Sequence, residues 1–185
     1  MIFLVGGAPR VGKSILAQHV AANLKAGWIS TDLLAELLKL NHVEGVTTEW
    51  NASPEAIRAL AEWFFPSLER FIWGVSSMAE NYVIEGVSFL PEQATKLATQ
   101  YQIRAIFLGR AEMSLETLDR FPGRSPGYGY LPEERRRQIA IDVPRWSAFI
   151  RQEAGRWGPP YVDVSGDFAE RLQEAEAALI TGIGE

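Results

Sequence analysis

The stretch Ile2-Phe3-Leu4-Val5-Gly6-Gly7-Ala8-Pro9-Arg10-Val11-Gly12-Lys13-Ser14 decides how this chain reads. Ile2 to Val5 is a short, continuously apolar run with glycines after it, the pattern of a strand buried on both faces of a parallel sheet. From Lys13 to Lys25, Ile15, Leu16, Val20 and Leu24 recur at helical spacing, and Gly27 suits a left-handed position past the helix end. Between strand and helix, Gly7-x4-Gly12-Lys13-Ser14 fits the pattern G-x-x-x-x-G-K-[ST]. Glycines let the backbone turn its N–H groups inward around phosphate oxygens, and the helix N-terminus adds the positive end of its dipole. The expected ligand is a nucleoside triphosphate, Mg-ATP. Gly7, Ala8, Pro9, Arg10, Val11 and Gly12, with Ile15 behind them, would form its cradle. Lys13 would reach the β and γ phosphates, and Ser14 would offer its hydroxyl to Mg2+, an ion that takes few protein ligands. Arg10 occupies a variable position of the pattern and need not touch phosphate.

Working outward, Trp28 to Ser30 reads as a second strand. Ser30 or Thr31 would cap a helix from about Asp32 with Leu33, Leu34, Leu37 and Leu38 as its apolar face. His42 to Asn51 reads as a loop. Ser53-Pro54-Glu55 opens a helix reaching about Ala79, which Pro66 should kink or divide because it lacks an N–H donor. Tyr82 to Ile84 is strand three, Pro91 starts a helix to Gln100, Ile103 to Leu108 is strand four, and Ser114 to Arg120 is a helix. Phe121 to Tyr130, with its glycines and prolines, reads as a loop. A helix from Pro132, broken or bent at Pro144, a strand at Tyr161 to Val164 and an amphipathic helix at Phe168 to Ile180 complete the chain. Strands alternating with helices define an α/β fold, expected as a three-layer, five-stranded parallel sheet with helices on both faces and a small lid. The expected organisation is a single domain over 1–185, with an acceptor-binding helical region at about 33–79 and the lid at about 120–145.

Composition narrows the partners. The chain has 185 residues, 47% of them apolar, enough to bury a sizeable core. A formal net charge of -5 argues against a long nucleic-acid footprint, which needs a basic face. There is no cysteine, which removes disulfides and thiolate metal sites and suits the cytoplasm. The N-terminus runs straight into the first strand and does not read as a signal peptide, and no apolar run is long enough to span a membrane. His19 and His42 have no partner at metal-ligand spacing.

Two acids stand where chemistry is expected. Ligands in open α/β sheets lie outside the carboxyl ends of the strands, which is where Asp32 and Glu85 fall. A carboxylate there can orient Mg2+ through water or take a proton from an attacking hydroxyl. Asp32 also suits a helix start, where its charge favours the dipole. Trp50, Trp63, Phe64, Phe65, Phe71 and Trp73 read as core or as the wall of an acceptor pocket, and Arg58 and Arg70 as anion binders or surface residues.

The GTPase base-reading motif N/T-K-x-D is missing, and Asp163-x-x-Gly166 stands beside the last strand, away from a switch position. The run Ile2 to Ser14, Ser30-x-Asp32, Glu85-Gly86-Val87 and Arg120-x-x-x-Arg124 resemble the small-molecule and nucleoside-monophosphate kinases of the P-loop class. Within that group Val83-Ile84-Glu85-Gly86-Val87-x-x-Leu90-Pro91 most resembles the 2-phosphoglycerate kinase-like branch. The resemblance implies an ATP-dependent kinase acting on a small-molecule acceptor, with an anionic acceptor among the alternatives. It places Asp32 at the acceptor hydroxyl, Glu85 near the metal, Arg120 over the base, Arg124 on phosphate and Gly166 against the adenine. For Gly166 and Asp167 a plain turn before a helix is the competing reading. Of Arg135, Arg136, Arg137 and Arg145, a helix turns only some inward, because consecutive residues differ by about 100°. The rival functions are a kinase of nucleic-acid ends or nucleotide sugars, like polynucleotide kinases and zeta-type toxins, and an ATP-binding regulator that transfers nothing.

Overall fold

The computed structural model describes residues 1–40, 52–78, 80–121 and 128–181. Five strands, β1 (Ile2–Gly7), β2 (Gly27–Ser30), β3 (Tyr82–Glu85), β4 (Ile103–Gly109) and β5 (Tyr161–Asp163), form one sheet in the order β2-β3-β1-β4-β5. Every pairing is parallel. The helices are α1 (Lys13–Leu24), α2 (Thr31–Leu40), α3 (Pro54–Ser76), α4 (Pro91–Ala98), α5 (Leu115–Arg120), α6 (Glu133–Trp157) and α7 (Phe168–Ile180), with a 3-10 turn at Tyr128–Tyr130. Parallel strands need crossovers, and these put helices on both faces. α1 and α7 pack together on one face, and α4 packs with α6 on the other. Gln93 of α4 donates to the Ala61 carbonyl of α3 at 2.9 Å, which ties α3 into that second layer.

The central strand β1 is buried along its whole length, as expected for a strand covered twice. As expected from the sequence, Ser53 accepts the Ala56 N–H at 3.2 Å and Pro54 and Pro91 stand at helix starts; Ser114 caps α5 in the same way, accepting the Thr117 N–H at 3.0 Å.

Of the two outcomes expected at each of Pro66 and Pro144, division does not occur, since α3 and α6 run through both prolines. Burial outweighs the lost donor: α3 buries Phe64 and Leu68 around Pro66, and α6 buries Val143, Trp146 and Ile150 around Pro144. The left-handed residue after α1 is Lys25, with φ 51, and Gly27 instead opens β2. Glycine serves there for space, because a Cβ would lie 2.3 Å from the Tyr82 ring. Finally, of the expected apolar face of α2, Leu34 and Leu38 pack against the core beside the buried Ala35, whereas Leu33 and Leu37 are 60% and 59% exposed. Among the aromatic residues of the expected acceptor region Phe64 is core, while Trp73 is 53% exposed beneath the Arg70 guanidinium.

Candidate functional site

β1 delivers its chain directly into the loop expected from the sequence to hold phosphate. The Ala8 N–H donates to the Leu108 carbonyl at 3.0 Å, fixing the loop's start against β4. Gly12 ends it with φ 89, a left-handed conformation that glycine adopts without strain, and the Ile15 and Leu16 N–H groups both bond back to its carbonyl at 3.0 Å. Ile15 itself is 39% exposed. Phe168, at the start of α7, packs so closely on Gly12 that a Cβ would lie 2.6 Å from its ring. The loop after β5 is thereby held beside the phosphate loop.

Register brings the acids to the same edge. Glu85 pairs with Val5 of β1 and with Ser30 of β2, so it stands at the carboxyl ends of three adjacent strands. It is 4% exposed, and its Oε1 accepts the Ser14 hydroxyl at 3.0 Å. A carboxylate in so dry a position must be partnered, and Ser14 partners it. The residues proposed from sequence to face a metal therefore meet each other, although 71 positions separate them. A hydroxyl and a carboxylate are oxygen donors suited to Mg2+ with its retained waters, so the residues present fit that ion. Among the described residues no group of three or more His, Asp or Glu side chains forms a dedicated metal cage.

Lys13 is 7% exposed and donates from Nζ to the Ala8 carbonyl at 2.6 Å. Burial pushes its pKa down, the negative charges of Glu85 and Asp32 pull it up, and Arg10 lowers it further. Asp32 thus shares the field of the loop lysine. It lies exposed in the first turn of α2, where its N–H donates to Ser30 Oγ at 3.3 Å. Its carboxylate has no hydrogen bond or ion pair among the described residues, which leaves it open to a substrate proton. Beside this edge Gly86 lets α2 approach β3, since a Cβ there would lie 1.7 Å from Thr31 Oγ1.

Arg120 sits in the last turn of α5 with its guanidinium 5.3 Å from the Phe121 ring centre. Arg124 lies outside the described residues, as do 122–127 of the expected lid and Trp50. The segment 133–145 of that expected lid is part of α6. Gly166 has φ 86 in the loop after β5, and Asp167 caps α7 by accepting the Ala169 and Glu170 N–H groups, each at 3.0 Å. The turn-and-cap reading therefore accounts for Asp167. Asp163 is structural too: its Oδ1 accepts from Ser165 N at 2.9 Å and from Ala111 N at 3.3 Å.

The arginines sort by partner. Arg58, read from the sequence as an anion binder or a surface residue, pairs with the buried Glu153 at 2.8 Å and covers Phe149, a structural role. Arg136 pairs with Asp119 and Arg137 with Glu133. Arg135 instead lines a cleft of about 740 Å³ between α3 and α6, with Ser53, Gln138, Asp142 and Arg145. Arg145 lies 3.8 Å from Asp142. Two residues that the sequence reading passed over emerge here, Tyr128 and Asp119. Their partners are distant in sequence and no local pattern marks them.

This is the three-layer parallel fold of the P-loop proteins. Among the solved structures that share it with this chain are several kinases. A shikimate kinase from Bacteroides thetaiotaomicron matches with a TM-score of 0.54 at 15% identity, over 97% of this chain and 96% of that one. A gluconokinase from Sinorhizobium meliloti 1021 matches with a TM-score of 0.53 at 19% identity, over 96% and 90%. A shikimate kinase from Aquifex aeolicus matches with a TM-score of 0.51 at 14% identity, over the full length of both chains. No protein-family model and no curated protein matches the sequence.

Proposed function

We propose that this chain is an ATP-dependent phosphotransferase that moves the γ phosphate of Mg-ATP to a hydroxyl or acid group of a small anionic molecule. The observation that carries the reading is the meeting of Ser14, Glu85 and Lys13 at the carboxyl ends of adjacent strands, with the unpartnered carboxylate of Asp32 in the same field. Bound Mg2+, held from Ser14 and Glu85, would neutralise phosphate charge. The loop N–H groups and Lys13 hold the phosphates in place. Asp32 takes the proton from the acceptor hydroxyl as that oxygen bonds to the γ phosphorus, and the bond to the β–γ bridging oxygen breaks to leave ADP. Arg120 brings a cation and a planar surface suited to the base or the phosphates. The kinases with the same fold support transfer over regulation without transfer.

For the acceptor, the cleft beside α6 supports an anion. Arg135 has no ion pair among the described residues, and Arg145 is shared with a carboxylate at a distance too long for a close pair. A screen of phosphorylatable metabolites with Mg-ATP tests the proposal, and Arg135→Ala supplies its second arm. Phosphorylated product should appear with an acidic metabolite, and Arg135→Ala should raise the acceptor KM with ATP affinity unchanged. Tight ATP binding with no product from any metabolite would replace this reading with that of a nucleotide-binding regulator.

A further inference from the structure

Arg10 holds φ 63, a left-handed conformation that Cβ sterics disfavour for every L residue and that glycine adopts freely. Strain of this kind persists in a folded protein where the surroundings over-determine it, and it collects at functional sites. At Arg10 the surroundings act through the side chain. Its half-buried guanidinium lies over the ring of Tyr128, with Cζ 4.7 Å from the ring centre, the geometry of a cation–π contact. Tyr128 is 3% exposed, so the contact is shielded from water on the ring side. The Tyr128 hydroxyl donates to Asp119 Oδ1 at 3.0 Å, and the same oxygen accepts from the Arg136 guanidinium. Asp119 directly precedes Arg120 in α5, and Arg136 is in the first turns of α6.

The four side chains form one alternating sequence of charge and acceptor: cation, aromatic face, hydroxyl, carboxylate, cation. Its links reinforce one another. Asp119 draws on the Tyr128 hydroxyl and makes the ring a better surface for a cation, and Arg136 balances the carboxylate. The pKa directions agree with this, since Arg136 lowers that of Asp119 while burial and then Asp119 raise that of Tyr128.

We propose that Arg10 is a positioning residue: through Tyr128 and Asp119 it braces α5, and with it Arg120, against the phosphate loop. The inference rests on the loop's role as a triphosphate site and adds to it a residue that acts outside the phosphate cradle. A braced site has less to order when the nucleotide binds, and that saving appears as affinity.

The test is a double-mutant cycle read by calorimetric titration with Mg-AMP-PNP, a non-hydrolysable ATP analogue, on the full chain. Arg10→Gly and Tyr128→Leu should each weaken binding about tenfold, between the values for exposed and for fully desolvated cation–π contacts, and the double variant should be no weaker than either single one. Tyr128→Phe keeps the ring and should fall between the wild type and Tyr128→Leu. Arg10→Gly should melt close to the wild-type temperature, because relief of the left-handed strain offsets much of the lost cation–π contact, so the loss of affinity is not a loss of fold. Additive losses, no loss in either single variant, or a loss in Arg10→Gly with Tyr128→Leu unaffected would overturn the brace; the last would make Arg10 a direct phosphate ligand. Wild-type protein that does not bind Mg-AMP-PNP would overturn the triphosphate reading and the brace together, whereas tight wild-type binding with uncoupled variants overturns the brace alone.

Discussion

Lys13→Met removes a charge and keeps nearly all of the side-chain volume. The structure sets its effects on stability and on binding against each other. Lys13 is buried at 7% exposure, and burial lowers its pKa more than Glu85 and Asp32 raise it. The charged lysine is therefore a net cost to the fold. Removing the buried charge relieves several kcal/mol of desolvation, which the lost attraction of Glu85 and Asp32 and the lost hydrogen bond to the Ala8 carbonyl offset only in part. A net gain of about 1–2 kcal/mol would raise the melting temperature by roughly 2–6 °C for a chain of this size. Nucleotide reverses the order: at a hundredfold excess over Kd, Mg-ATP should stabilise the wild type by about 2.7 kcal/mol, and the variant should gain almost nothing. Scanning calorimetry at pH 7 with and without Mg-ATP reads both. The sign of the pH dependence follows from the same shift. Because the folded pKa lies below the ordinary 10.5, the unfolded chain holds the proton longer as pH rises. Wild-type stability should then climb relative to Lys13→Met through the folded pKa and level off above 10.5. A variant that melts below the wild type without nucleotide would refute the reasoning, since the attraction of Glu85 and Asp32 would then exceed the cost of burial.

Three further variants probe the surrounding geometry. Asp32→Asn should lower phosphoryl transfer at least a hundredfold, the low end of general-base contributions, with little change in ATP affinity; equal losses in both would make Asp32 a metal or structural residue. Gly86→Ala places a methyl group against Thr31 Oγ1 and should cost about 2 kcal/mol in urea denaturation, part of it recovered in the double variant with Thr31→Ala, whose Cβ would still lie 2.8 Å away. No recovery would show that the crowding lies elsewhere. Tyr161 has its pKa pushed up to about 12 from 10.0 by burial and by Asp163, so the fold holds the phenol proton after the unfolded chain has lost it. Stability should fall between pH 10 and about 12, and Tyr161→Phe should fall less over that window. Parallel curves would remove the phenol from the account.

Signals that lie within one stretch of chain were legible from the sequence. The strand, loop and first helix span Ile2 to Leu24 without interruption, so the apolar run, the glycines and the helical spacing read together. The cap at Ser53 was legible for the same reason, because cap and recipient N–H are three positions apart. Expectations failed where the choice belonged to a distant neighbour. Leu33 and Leu37 carry the apolar pattern of a buried face, yet α2 packs through Leu34, Ala35 and Leu38. Arg58 read as an anion binder or a surface residue, and only the approach of α6 supplied Glu153 to occupy it.

Local sequence was enough to specify a glycine loop joining a buried strand to a helix, because that geometry is enforced by glycine conformations and a helix start within a few residues of each other. It also put Asp32 and Glu85 at strand ends. Only the tertiary structure decided that β3 lies between β1 and β2, and so that Glu85 meets Ser14 across the sheet. The same is true of Arg10, whose partner Tyr128 comes from the far side of the chain. Strand order and side-chain partners are set by which surfaces bury best against one another, a property of the assembled fold that no single segment carries.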